Sequence, residues 1–410
     1  MKPRIDGERL WASLMELARI GATPKGGVRR VTLTPEDREG RELFARWCRE
    51  AGLEVRVDGI GNIFARREGT ERDAPPVVMG SHLDSQPNGG KFDGAYGVMA
   101  GLEVMRALND AGVTTRAPLE VASWTNEEGS RFVPTLMGSG VFTGVYQLED
   151  ILEHKDIDGI TVGDALKSIG YAGDARPHKV GAYYEAHIEQ GPVLEDTRTT
   201  IGVVQGALGQ RWYDVSISGQ DAHAGPTPME LRKDALLAAA ELTLEVNRIA
   251  TTFPDYARGT VGHMVVKPNS RNVVPGDVRM TVDFRNARDS TLLAMKQALS
   301  DAADAIARKR RVSISLEEVI YFPPCEFAPE LVSRVRSAAA ELGLSHRDIV
   351  SGAGHDAVYL SRIAPTAMIF VPCEGGISHN EIENARPEDL AAGCSVLLGA
   401  VLDTAHGAGS

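Results

Sequence analysis

Apolar residues recur every three to four positions over Glu8 to Ala18 and again over Arg38 to Ala51, the spacing of a helix with one buried face. A short apolar run, Pro76-Val77-Val78-Met79, then leads as a buried strand into Gly80-Ser81-His82. Val98, Met99, Leu102, Met105 and Leu108 place a helix over Tyr96 to Ala111. Leu119 to Trp124 is the next strand, and its end delivers Asn126-Glu127-Glu128. Strand, Gly-rich turn, helix, strand predicts an α/β layer, in which functional groups gather at the carboxyl ends of the strands.

The texture changes near Leu208. Trp212 to Ser218 alternates as a strand, Met229 to Asn247 is an amphipathic helix, and Thr260 to Val266 and Asp277 to Phe284 are strands. Ser290 to Ala307 is a further helix and Val312 to Leu316 a last strand. The order β-α-β-β-α-β is ferredoxin-like. A small α+β domain is therefore expected over 209–318, inserted into a discontinuous α/β domain made of 1–208 and 319–410. The returning part carries a helix over Glu330 to Leu342, a buried strand over Ala367 to Pro372 and a helix over Pro387 to Ala405. Gly206 and Gly209, where the chain enters the insertion, are candidate hinge positions.

Length and charge narrow the class. A chain of 410 residues is long for one core, which favours two domains. A net charge of -12 argues against nucleic acid or an anionic membrane as the main partner. The start has no apolar targeting segment and no apolar run is long enough to span a bilayer, so the expected location is the cytoplasm. Cys48, Cys325, Cys373 and Cys394 are widely spaced with no CxxC pair, and are expected to be reduced thiols.

The candidate chemistry lies in His82, Asp93, Glu127, Glu128, His187 and His379, each in a short polar stretch beside an apolar run. His82 and Asp84, two apart on a strand, share a side, so one can bind metal while the other holds its surroundings in place. Asp93 sits among Gly89, Gly90 and Gly94, where its carboxylate could bridge two metals or simply belong to an Asp-Gly turn. Adjacent Glu127 and Glu128 repel unless a cation or a shared proton compensates. In a two-metal site one of them ligates and the other moves a proton. His187 and His379 each read as a ligand or as a hydrogen-bonded polar residue. Together the six point to a two-metal hydrolase. Gly352, Gly354 and Ala357 also fit GxGxxA, with Glu374 at the distance of a ribose contact, the mark of a dinucleotide-binding protein. Too little chain lies before Ala367 for the required βαβ unit, so the segment is read as a substrate-facing loop.

The ordered motifs GSHLDSQPNGGKFDG, TNEEGSRF, HIEQGPVLE, DAHAGPTPM, NSRNVVPG, DFRN, SGAGHDA and GGISHNE resemble the hydantoinase/carbamoylase amidases of the M20 metallopeptidase superfamily. Members include N-carbamoyl-L-amino acid hydrolases, β-ureidopropionases and allantoate amidohydrolases, and the resemblance runs from about Gly7 to Ala405. It implies a zinc-exopeptidase-like catalytic domain with an inserted lid and dimerisation domain. It also implies two divalent ions, zinc or else manganese, cobalt or nickel, one held by His82 and His187 and the other by Glu128 and His379, with Asp93 bridging. Glu127 is then the general base and Asp84 the partner of His82. His187, where peptidases of the superfamily commonly have a carboxylate, points to the amidase branch.

Further parts follow from the same resemblance. Arg285 is the implied clamp for a substrate carboxylate, Gln190 and Asn272 are polar contacts, Gly354 lies in the substrate-facing loop, and His223 stabilises an oxyanion. His355 is expected to support the ligands rather than to ligate. The implied reaction is hydrolysis of the carbamoyl C–N bond of an N-carbamoyl-L-amino or N-carbamoyl-β-amino acid, giving the amino acid, carbon dioxide and ammonia. Allantoate, an N-acyl amino acid or a peptide are the alternative substrates. The implied assembly is a homodimer in which His223 and Asn272 complete the neighbouring site.

Overall fold

Four strands with no exposed residue run parallel through the middle of the larger sheet. Val77–His82 lies between Leu119–Trp124 and Ala182–Ile188, and Thr366–Val371 flanks Ala182–Ile188 on its other side. Parallel strands covered on both faces read as continuous apolar runs, which is why these segments stand out in the sequence. Antiparallel strands extend the sheet. Ile63–Arg67 and then Glu54–Val57 lie beyond Leu119–Trp124, and Ile201–Ala207 lies beyond Thr366–Val371. Helices Ala95–Asp110 and Pro387–His406 pack against the central strands, and Gly7–Leu17 rests on both helices.

This computed structural model describes residues 3–253 and 256–407. The chain forms two compact units, one of Met1–Gln205 with Phe327–Ser410 and one of Gly206–Glu326. In the second unit the sheet runs in the order Met264–Lys267, Asp277–Asn286, Gly209–Ser218, Ser313–Phe322, all antiparallel, with Arg258–Thr260 also pairing to Asp277–Asn286. Burial alternates along Gly209–Ser218 and Asp277–Asn286, as expected when one face is covered and the other is wet. Tyr213, Ile217 and Phe284 meet Leu242, Met295 and Leu299 from the helices Ala235–Thr252 and Asp289–Arg310. This is the ferredoxin-like arrangement.

Local chemistry explains where elements depart from the periodicity. The helix expected from Met229 begins at Ala235, because Met229–Leu231 is a separate 3-10 turn and Asp234 caps the helix by accepting from the Leu237 N–H. The strand expected over Thr260 to Val266 is broken into Arg258–Thr260 and Met264–Lys267. The last strand continues to Phe322, so the second unit extends to Glu326 rather than Glu318. A Cβ on Gly206 would lie 2.0 Å from the Cys325 carbonyl oxygen, and one on Gly209 would lie 2.5 Å from Pro324. Close approach of the returning chain thus asks for glycine at both positions. The four cysteines are free thiols. Among the described residues no helix is long and apolar enough to cross a membrane.

One buried ion pair fastens the larger unit near the strand that delivers Glu127. Thr34 caps the helix Pro35–Glu50 by accepting from the Asp37 N–H. Asp37 in turn accepts from Arg41 at 2.8 Å, and Arg41 donates to the Gly61 carbonyl and to Thr125 Oγ1. Both side chains are fully enclosed. Asp37→Ala strands the guanidinium and is expected to cost about 3–5 kcal/mol. Arg41→Met placed on top of it should recover much of that loss. Urea midpoints of the full chain measure both, and a cost below about 1 kcal/mol for the single variant would contradict the assignment.

Candidate metal centre

The carboxyl ends of the four parallel strands supply the site. His82 is the last residue of Val77–His82, Glu127 and Glu128 follow Leu119–Trp124, His187 lies one residue before the end of Ala182–Ile188, and His379 lies in the loop after Thr366–Val371. Asp93 sits in the loop that leads into Ala95–Asp110. Asn126 (φ +53°), Gln190 (φ +58°) and His379 (φ +52°) all hold left-handed backbone, which non-glycine residues seldom adopt and which turns the chain sharply at the strand ends. Gly94 has φ +64°, and a Cβ there would fall 2.4 Å from the His82 ring, so only glycine lets this loop close over the imidazole.

Asp93 divides its two oxygens between two sets of partners. Oδ1 lies 3.3 Å from His187 Nε2 and 3.6 Å from His82 Nε2, whereas Oδ2 lies 3.3 Å from His379 Nε2. His379 Nε2 is also 3.3 Å from Glu128 Oε2, and His82 Nε2 is 3.5 Å from Glu127 Oε2. Potential ligand atoms of His82, Asp93 and His187 form one group, and those of Asp93, Glu128 and His379 form another. The carboxylate common to both groups is placed as a bridging ligand would be.

The imidazoles are turned for ligation. His82 Nδ1 lies 2.9 Å from the Asp84 carbonyl and His187 Nδ1 lies 2.9 Å from the Ile188 carbonyl. Both carbonyls accept only from a protonated Nδ1, which leaves Nε2 of each ring facing Asp93 with a lone pair in the neutral form. The charge balance also asks for cations. Asp84, Asp93, Glu127, Glu128, Glu185, Asp356 and Glu383 are all buried, and among the described residues the ion pairs of Asp93, Glu127 and Glu128 are to imidazoles alone. Burial, reinforced by Asp356, Glu128 and Asp93, pushes the Glu127 carboxyl well above the usual range despite the opposing pull of His82. Burial and Asp93 push Glu128 up to about 7. Burial would raise Asp93 as well, but His187, His379 and His82 hold it well below the carboxylate range. A set of nitrogen and oxygen donors in a cluster of buried acids suits divalent metal.

The other expected residues of the larger unit have the following places. The Asp84 carbonyl takes the His82 hydrogen bond, and the Asp84 carboxylate lies 3.9 Å from the same ring nitrogen. The carboxylate also accepts from the Glu127 and Glu128 N–H groups at 3.3 Å each and so fixes the doublet. Gln190 donates to Asp93 Oδ2 at 2.9 Å and to Ser378 Oγ at 3.2 Å. Gly354 is exposed and a Cβ there would meet only Leu136, at 3.8 Å. His355 packs its ring 4.6 Å from that of His187 and lies 2.9 Å from Ser351 Oγ. Burial and the neighbouring His187 hold it well below the usual imidazole range, hence neutral. The helix after the GxGxxA segment, Asp356–Leu360, has five residues, the first of them a buried acid bonded to Ser139.

Other residues escaped the sequence reading. Gln86 donates to both carboxylate oxygens of Glu128, through its backbone N–H at 3.1 Å and its amide at 2.8 Å. Glu383 accepts from the Phe92 and Asp93 N–H groups. Glu185 accepts from Ser81 Oγ, Tyr183 OH and the Ala357 N–H beneath His187. Glu185 lies two residues from His187 on one strand, a spacing that signals a shared side. Gln86 and Glu383 carry no such local signal.

Three expected substrate residues lie in the second unit. His223 is exposed on the two-residue strand Ala222–His223, which pairs with Val273–Val274, and Asn272 accepts through its backbone carbonyl from the Ala224 N–H at 2.9 Å. These two residues therefore share one ribbon. Arg285, on Asp277–Asn286, pairs with Asp283 at 2.9 Å.

Residues 78–403 match the model of Peptidase family M20/M25/M40. A hydantoinase/carbamoylase family amidase from Burkholderia multivorans has a crystal structure similar to this fold, with a TM-score of 0.96, 55% identity and 99% of each chain covered. The N-carbamoyl-L-amino-acid amidohydrolase of Rhizobium meliloti is 49% identical over 98% of this chain and 97% of its own. Its counterpart from Geobacillus stearothermophilus is 41% identical over 98% of this chain and all of its own. With that likeness running nearly end to end, and a shared carboxylate set between two groups of ligand atoms, the chain belongs to the hydantoinase/carbamoylase amidases of peptidase family M20/M25/M40.

Proposed function

We propose that the protein is a metal-dependent amidohydrolase that cleaves the carbamoyl C–N bond of N-carbamoyl-L-amino acids, releasing the amino acid, carbon dioxide and ammonia. The observation that carries this reading is the split of the Asp93 oxygens between the His82 and His187 imidazoles and the Glu128 and His379 pair. His82 and His187 would hold one divalent ion, Glu128 and His379 a second, and Asp93 both. Such ions supply Lewis acidity toward a ureido carbonyl and lower the pKa of water toward neutrality.

The chain's own residues do the rest. Glu127 stands beside His82 and outside the two groups of ligand atoms, in place to act as a general base. It takes a proton from the attacking water and returns it to the nitrogen of the breaking C–N bond. Asp84, by binding the N–H groups of both glutamates, keeps Glu127 directed to the reaction and Glu128 to the metal. His223 Nδ1 accepts from the Gly225 N–H at 3.1 Å, so the ring proton sits on Nε2 and can be donated to an oxyanion. Arg285 would clamp the substrate carboxylate, with Asn272 as a polar contact beside it. The same reading includes a homodimer in which His223 and Asn272 serve the neighbouring site. It also includes a cytoplasmic location, where four free thiols would persist.

Metal-stripped protein repleted separately with Zn²⁺, Mn²⁺, Co²⁺ or Ni²⁺ should release ammonia from N-carbamoyl-L-amino acids well above N-carbamoyl-β-alanine and allantoate. Turnover confined to N-acetyl amino acids or dipeptides, followed as free amine, would overturn the proposal. Glu127→Gln should keep the wild-type metal content while kcat falls by about 10²–10⁴. Loss of metal from that variant would exchange the roles of Glu127 and Glu128. Arg285→Lys should raise KM by roughly 10-fold or more with a smaller change in kcat, because an ammonium cannot reproduce the planar two-point contact. An unchanged KM would remove Arg285 from the substrate site.

A further inference from the structure

We propose that Glu383 is the positioning residue that makes the second metal site, and that without it the chain keeps only the first. The inference rests on the two-ion reading above. Glu383 is buried and follows His379 by four residues in the same loop. Its Oε1 accepts from the Phe92 N–H at 2.9 Å and the Asp93 N–H at 3.1 Å. Its Oε2 lies 3.0 Å from Ser378 Oγ, and that hydroxyl is also 3.0 Å from Asp93 Oδ2. One carboxylate therefore ties the backbone of the bridging residue to the loop that carries His379. Gly90 is shaped around it, since a Cβ there would fall 2.0 Å from the Glu383 carboxyl.

The two ligand groups depend on this strut to different degrees. His82 and His187 are oriented by carbonyls at or just beyond the ends of their own strands, and their side chains are 2% and 1% exposed. They keep that support whatever happens to the loop 375–383. His379 has a side chain 51% exposed, on a residue with φ +52°, and its approach to Asp93 Oδ2 depends on how the two loops are held together. Removing Glu383 frees both the bridging carboxylate and the His379 loop, so the group made by Glu128, His379 and Asp93 should suffer first.

Co²⁺ titrated into the metal-stripped full chain, followed by calorimetry and visible absorption, tests this without reference to activity. Wild type is expected to bind two Co²⁺ per chain. Glu383→Ala should bind one with near wild-type affinity and the second at least 10-fold more weakly, whereas Glu383→Gln, whose amide can still accept from the two N–H groups and donate to Ser378, should restore both. If the alanine variant does not fold, Glu383→Asp takes its place with the same expectation, because the charge is kept but the reach is one methylene shorter. Two undisturbed sites in the alanine or aspartate variant, equal weakening of both sites, or failure of glutamine to restore the second would overturn the role of Glu383. A single Co²⁺ in the wild type would instead overturn the two-ion reading beneath it.

Discussion

Each oxygen of the Asp93 carboxylate is held in its own direction by its own set of partners, and the candidate site is arranged around that division. Imidazoles converge on Oδ1 from two adjacent parallel strands, while His379, Gln190 and Ser378 converge on Oδ2 from loops beyond the sheet. The Asp93 backbone is fixed independently through Glu383. Removing water from so many acids is costly unless positive charge compensates, so the site is stable as built only with its cations or with protons in their place. Both fold and chemistry therefore meet in one side chain, and the parallel sheet is what delivers its partners to a common edge.

Much of this was legible in the sequence for a physical reason. Parallel strands buried on both faces leave apolar runs such as Pro76 to Met79 and Leu119 to Trp124, and the polar residues that follow them lie at the functional edge. His82, Glu127 and Glu128 could be placed that way before any comparison. What stayed hidden were contacts between loops far apart in the chain. Nothing local announces that Glu383 bonds to the Phe92 N–H, or that Gln190 turns to Asp93. Asp84 was legible only in part. The period of a strand put it beside His82, where its carbonyl bonds the ring and its carboxylate lies 3.9 Å away, but no local pattern announced that the same carboxylate also accepts from the Glu127 and Glu128 N–H groups.

The smaller unit shows the same division between pattern and detail. Alternating burial along its two long strands follows from one covered face, and the strand order was recoverable from the order of elements. Element edges were less so, because a cap such as Asp234 or a 3-10 turn such as Met229–Leu231 overrides periodicity within a few residues. Its candidate substrate groups are already engaged locally, Arg285 with Asp283 and His223 with the Gly225 N–H. These partners orient the guanidinium and select the ring tautomer in advance of any ligand.

The ladder at the junction carries a wider meaning. Gly206 and Ala207 pair antiparallel with Glu326 and Cys325, so the chain leaves the larger unit and returns to it through neighbouring strands. To the larger unit, everything from Gly206 to Glu326 is topologically a hairpin turn. Closing a loop costs entropy that grows only slowly with its length, and an insert with its own core shortens the effective loop further. The catalytic scaffold can thus accept a different insert, or a short turn, at this point without a change in strand order, which makes the insertion a modular unit on which selection can act separately from the metal centre.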